Sequence, residues 1–137
     1  MALKFLLIDD NAIDLFINQK MIEKEAVPTN IITFTNASDA IDYLKNLEDL
    51  TSCHMRNAPD VIFLDINMPL MNGFQFIDKF NKLNIKKEIP IKIYMLSSSA
   101  NPIDLQKVKQ EKSCTGFINK PLTSYAINNV MEKFRTC

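Results

Sequence analysis

Apolar residues gather in five short runs, separated by stretches where they recur at helical spacing. Leu3 to Ile8 is a nearly continuous apolar run, the pattern of a strand buried on both faces. Asn11 followed by Asp14 reads as a helix cap with an acid three residues on, and the pattern predicts a helix to about Ala26, with Pro28 beyond it. Asn30 to Thr35 is β-branched and strand-like. Asn36 and Asp39 repeat the cap and open a helix that carries Ile41, Leu44 and Leu47. Residues 49–58 show no periodicity and read as a loop.

Val61 to Leu64 predicts another buried strand, and Gly73 to about Leu83 a helix with Phe76, Ile77 and Phe80 on one side. Ile89 to Leu96 reads as a strand, and Asn101 as a cap with Pro102 at the first helical position. Gly116 to Ile118 is a short strand, and Leu122 to Phe134 a final helix. A strand followed by a helix, five times over, predicts one α/β domain: a five-stranded parallel sheet with helices on both faces. In such sheets the site lies at the carboxyl ends of the strands, where the strand order reverses.

Length agrees with a single domain over 1–137, and the apolar fraction of 47% is ordinary for a globular chain. No apolar run is long enough to span a membrane, and the N-terminus lacks the features of a signal peptide. Cys53, Cys114 and Cys137 are odd in number and irregularly spaced, which fits reduced thiols and a cytoplasmic location. Net charge is zero, but residues 1–80 carry 6 basic and 12 acidic side chains while residues 81–137 carry 10 and 4. Lys79, Lys82, Lys86 and Lys87 are the densest basic cluster; no aromatic residues alternate with them, so direct nucleic-acid binding is not expected. Cys53 and His54 have no second sulfur or imidazole nearby to complete a metal site.

The residues that follow the strands carry the chemistry. They are Asp9 and Asp10, then Asp65 with Asn67, then Ser97 to Ser99, then Lys120 with Pro121. Carboxylates gathered at one sheet edge repel each other by about 1–4 kcal/mol per pair and call for a cation. Hard oxygen donors beside open water positions suit Mg²⁺. An aspartate can accept a phosphoryl group covalently, a transfer that needs positioning and charge neutralisation more than acid–base chemistry. No histidine stands at these strand ends.

With Gly73 added, these four motifs in this order resemble a response-regulator receiver domain of the chemotaxis-regulator type, over nearly the whole chain. The resemblance implies a flavodoxin-like sheet of order 2-1-3-4-5. It implies that Asp65 takes a phosphoryl group from a phosphohistidine on a sensor histidine kinase or a histidine phosphotransfer protein. It further implies Mg²⁺ on Asp10, Asp65 and the backbone carbonyl of Asn67, with Asp9 acting mainly through water. Ser97 and Lys120 would engage the phosphoryl group. Asn67 and Ser99 would tune its lifetime, with Ser98 at the entrance. Lys120–Pro121 would be a cis peptide. Phe117 stands where the family places its switch aromatic and lacks a hydroxyl, so an inward ring is expected before phosphorylation.

The readout surface would be the fourth helix, fifth strand and fifth helix. No output domain follows Phe134; in a complete chain the output is a protein contact or onward phosphate relay, from a monomer or a phosphorylation-dependent dimer. No enzymatic output is expected. A phosphohydrolase of the haloacid dehalogenase type wants a second acid where Asn67 stands, and a flavin module wants a phosphate-cradling loop where Asp9, Asp10 and Asn11 stand. On the first helix, Ile13, Phe16, Ile17 and Met21 share one face and predict its core contact, although Lys20 and Lys24 fall there too. Leu15 and Ile22 then point the other way, with Leu15 either available to dock a kinase-side helix or part of a wide core stripe.

Overall fold

The computed structural model describes residues 2–48, 58–98 and 101–134. Residues 49–57 of the predicted loop, which hold Cys53 and His54, lie outside what it describes, as do Ser99, Cys137 and the Lys87 side chain. The elements in chain order are β1 (Leu3–Ile8), α1 (Ala12–Glu23), β2 (Thr29–Phe34), α2 (Ala37–Glu48), β3 (Val61–Asp65) and α3 (Gly73–Phe80). They continue with α4 (Asn84–Glu88), β4 (Lys92–Ser97), α5 (Pro102–Gln110), β5 (Gly116–Asn119) and α6 (Ser124–Glu132). The strands form one parallel sheet of order β2-β1-β3-β4-β5.

Alternation along each strand builds two cores. Leu6 and Ile8 of β1, Ile62 and Leu64 of β3 and Ile93 and Met95 of β4 face α2, α3, α4 and α5. Phe5, Leu7, Val61, Phe63, Tyr94 and Leu96 face α1 and α6. This is why the central strands read as unbroken apolar runs: both of their faces are covered.

Several boundaries differ from expectation; α1 ends at Glu23 rather than about Ala26, and the last helix at Glu132 rather than Phe134. The expected helix from Gly73 to Leu83 ends at Phe80, and a short helix, α4, follows with Ile85 buried. β4 begins at Lys92 rather than Ile89, because Pro90 has no N–H to give the ladder. The last helix begins at Ser124 rather than Leu122, since the Thr123 hydroxyl caps it by accepting from the Ala126 N–H, while Leu122 is buried below.

The face of α1 that meets the sheet is not the expected Ile13, Phe16, Ile17 and Met21 face, and Leu15 belongs to the core rather than to a docking surface. Leu15, Asn18 and Ile22 face the sheet and are buried. Ile13 is 70% exposed, Phe16 60% and Ile17 41%. Charge decides the rotation. The apolar face that includes Phe16 also carries Lys20, whose burial is far costlier than the exposure of Phe16. Lys20 instead lies over the Phe16 ring, 5.4 Å from its centroid. Asn18 is tolerated inside because its Oδ1 accepts the Leu122 N–H at 3.1 Å.

Candidate functional site

Register brings the chemistry together. Ile8 pairs with Leu64, so Asp9 and Asp65 leave adjacent strands at the same level. Asp65 pairs with Leu96, and Ser97 with Asn119, so Ser97 and Lys120 each stand one step beyond. The Lys120 N–H donates to the Ser97 carbonyl at 2.9 Å, continuing the ladder past the strand. The order reverses between β1 and β3, and the acids sit in that crevice.

Asp9 and Asp65 are buried, and Asp10 is exposed at the mouth. One carboxylate oxygen from each of the three lies within 4.8 Å of the others. Lys120 Nζ lies 2.6 Å from Asp9 Oδ2, 3.1 Å from Asp14 Oδ2 and 3.3 Å from Asp65 Oδ1. Asp9 Oδ1 accepts the Asn11 N–H at 2.9 Å, whereas the buried Oδ2 has no directed hydrogen bond and only the charge of Lys120 beside it. Burial first, and then the Asp9 charge, raise the Asp65 pKa to about 6 against the pull of Lys120. Burial alone would lower the Lys120 pKa; the carboxylates of Asp9, Asp65 and Asp14 outweigh it and raise it.

A divalent cation fits this donor set. Three hard oxygens converge, one of the buried ones lacks a directed partner, and a single ammonium faces two buried acids. The loop after β3 is held tightly. The Gly73 N–H donates to the Ile66 carbonyl at 2.9 Å, and a Cβ on Gly73 would lie 2.9 Å from the Asp65 carbonyl oxygen and 2.9 Å from Met95 Cε. Glycine is required there by space alone. Leu70 in the same loop has φ 69 and is fully exposed.

Ser97 is buried at the end of β4. Asn67 and Ser98 are exposed on their loops. Phe117 is half-buried and packs against the core under α5. The Lys120–Pro121 peptide is cis. Asp14 and Asn18 were missed as site residues. The capping pattern accounts for Asp14 by itself, yet their spacing of four puts both on the helix face that meets Lys120 and Leu122. Lys79, Lys82 and Lys86 are exposed on and beside α3 and α4, not near the acids' mouth. Cys114 is free, its thiol donating to the Gly116 carbonyl and pushed up in pKa by burial.

A fold with this crevice and acid cluster defines a class, and comparison with known proteins agrees. The family model for the response regulator receiver domain matches residues 5–132. The chain belongs to that family and is a receiver domain of two-component signalling. It is 30% identical to a two component response regulator from Cytophaga hutchinsonii, whose crystal structure superposes with a TM-score of 0.87 over 100% of both chains. It is 27% identical over 128 residues to two-component response regulator 24 of Arabidopsis thaliana, covering 93% of this chain and 81% of that one. It is also 27% identical over 132 residues to hybrid signal transduction histidine kinase L of Dictyostelium discoideum, covering 96% of this chain. There it spans 7% of the relative, and 14% of the sensor histidine kinase CheAY of Helicobacter pylori, which it matches at 27% identity over 93% of its own length. No helix among the described residues is long and apolar enough to cross a membrane.

Proposed function

We propose that Asp65 is the phosphoacceptor of this receiver domain, with a phosphohistidine on a histidine kinase or phosphotransfer protein as the donor. The observation that carries the proposal is the convergence of Asp9, Asp10 and Asp65 within 4.8 Å beside the Lys120 ammonium. An Asp65 carboxylate oxygen forms the new bond to phosphorus as the donor's P–N bond breaks, and the imidazole leaves with the electron pair. The transition state is loose, so catalysis consists of placing the oxygen in line and offsetting charge. Lys120 offsets charge from one side, and the buried Ser97 hydroxyl donates to a phosphoryl oxygen. Asp10, Asp65 and the Asn67 carbonyl would hold Mg²⁺, with Asp9 acting mainly through water, and the ion would supply the remaining neutralisation. Asn67 and Ser98 border the site; Asn67 and Ser99 would set how easily water reaches the acyl phosphate.

The donor docks beside the mouth. Ile13, Phe16 and Ile17 on α1 give it an apolar face, taking the place expected for Leu15. Phosphorylation is read out on α5, β5 and α6, with Phe117 following Lys120 and Ser97 inward. The output is a protein contact or onward relay in the cytoplasm, from a monomer or a phosphorylation-dependent dimer, with no direct DNA binding. The domain itself carries no enzymatic output. Enzymes that share it, such as the protein-glutamate methylesterase of Treponema denticola, match over 19% of their length. Acetyl phosphate with Mg²⁺, followed by intact mass, tests the proposal. A single phosphoryl adduct in wild type and none in Asp65→Asn is expected; an adduct retained in Asp65→Asn overturns it.

A further inference from the structure

Asp14 stands outside the carboxylate cluster, and the helix does not need it as a cap. Asn11 Oδ1 alone accepts the Ile13 and Asp14 N–H groups, at 2.9 and 3.1 Å. The Asn11 N–H is satisfied by Asp9 Oδ1 at 2.9 Å. The Asp14 carboxylate is thereby spare, and it turns to Lys120 at 3.1 Å, nearer to the ammonium than Asp65 at 3.3 Å. An ammonium has three N–H donors, and three carboxylates surround this one. Asp9 grips it from inside the protein, and Asp14 from the rim, where its side chain is 35% exposed. The rim contact is a fixed point. One turn further along α1, the buried Asn18 side chain accepts the Leu122 N–H at 3.1 Å and ties the helix to the loop after β5. Asp14, Ile17, Asn18, Ser98, Lys120 and Pro121 line an open pocket of about 220 Å³ there.

We propose that Asp14 is a positioning residue that restrains Lys120 in the resting state and slows phosphoryl uptake by Asp65. This rests on the reading of Asp65 as the phosphoacceptor. As the Asp65–phosphorus bond forms and the donor bond breaks, negative charge spreads over the phosphoryl oxygens, which must draw a Lys120 N–H away from a competing carboxylate. Because α1 is tied down through Asn18, Asp14 cannot follow the ammonium inward. Asp14 also adds negative charge at the mouth through which an anionic donor enters.

The test is a time course of acetyl phosphate labelling in Mg²⁺, read by intact mass, on the full chain and its Asp14→Asn, Asp14→Ala and Asp14→Glu variants. Mg²⁺ affinity and Tm are measured alongside. Asn and Ala are expected to label about three- to fivefold faster, the upper scale of a part-exposed ion pair. Glu keeps the charge and stays within twofold of wild type, and Mg²⁺ affinity stays within twofold throughout. A structural role alone lowers Tm without raising the rate. Asn and Ala variants no faster than wild type, a Glu variant as fast as Ala, or rates that track Mg²⁺ affinity overturn this inference and leave Asp65 in place as acceptor. A wild-type chain that never gains the phosphoryl mass overturns both.

Discussion

Lys120 Nζ lies 2.6 Å from Asp9 Oδ2, although 111 positions separate their numbers in the chain; the lysine side chain is 9% exposed and the aspartate 2%. With Asp65 on the same ammonium, one cation holds two buried anions that would otherwise repel each other. Truncating Lys120 leaves both charges uncompensated. Lys120→Ala is expected to lose about 3–5 kcal/mol in metal-free urea unfolding, the cost of breaking a buried pair from one side. Saturating Mg²⁺ narrows the gap, because the ion supplies positive charge at the same carboxylates. An equal loss with and without Mg²⁺ contradicts this account.

The raised Asp65 pKa gives a signed pH dependence. Its folded value of about 6 exceeds the ordinary aspartate value of 3.8, so the folded protein binds more protons than the unfolded chain between those pH values. The stability contribution of Asp65 is greatest below about pH 4, falls as pH rises to about 6, and is flat above. A shift of that size corresponds to about 3 kcal/mol. Metal-free urea midpoints of wild type measured against Asp65→Asn, whose side chain does not titrate, check the window. Mg²⁺ affinity runs the other way, since binding needs the carboxylate: it rises with pH and levels off above about pH 6.

Gly73→Ala places a methyl 2.9 Å from the Asp65 carbonyl oxygen and 2.9 Å from Met95 Cε. Met95 can give way, but the backbone behind the acceptor cannot. A loss of about 1–3 kcal/mol is expected, with slower acetyl phosphate labelling, because the displaced atoms carry Asp65. A variant with unchanged denaturation and labelling counts against the tight loop.

Leu70 makes the opposite test. It holds φ 69 with its side chain in solvent, so no packing offsets the strain of a left-handed backbone. Leu70→Gly is expected to raise stability by about 1 kcal/mol in urea. If the donor also rests on this loop, transfer from its phosphohistidine slows while labelling by acetyl phosphate does not.

Asn18→Ala leaves the buried Leu122 N–H without its acceptor. A cost of about 1–3 kcal/mol follows, together with faster hydrogen exchange at the Leu122 amide, measured by NMR. Protection unchanged from wild type removes the tie between α1 and the loop after β5.

Strand positions were legible because the central strands are buried on both faces and leave apolar runs such as Leu3–Ile8, broken only by Lys4, and Val61–Leu64. The acids, Ser97 and Lys120 were legible because a parallel sheet puts every strand's end on one edge, so residues far apart in the chain had to meet there. Helix ends were less so: Pro90 and the Thr123 cap moved boundaries that the apolar pattern alone placed elsewhere.

The amino-acid sequence alone determined the βα order, the parallel sheet and the acids at its carboxyl edge, because periodicity and strand-end position are local properties of the chain. Tertiary structure decided the rotation of α1, with Leu15 and Ile22 inside and Phe16 outside. It also decided that Asp14 would serve Lys120 rather than a helix cap. A helix whose apolar residues are spread around its circumference has no preferred face of its own. Its orientation follows from which polar groups find partners, and Asn18 and Asp14 find theirs at Leu122 and Lys120, over a hundred residues away.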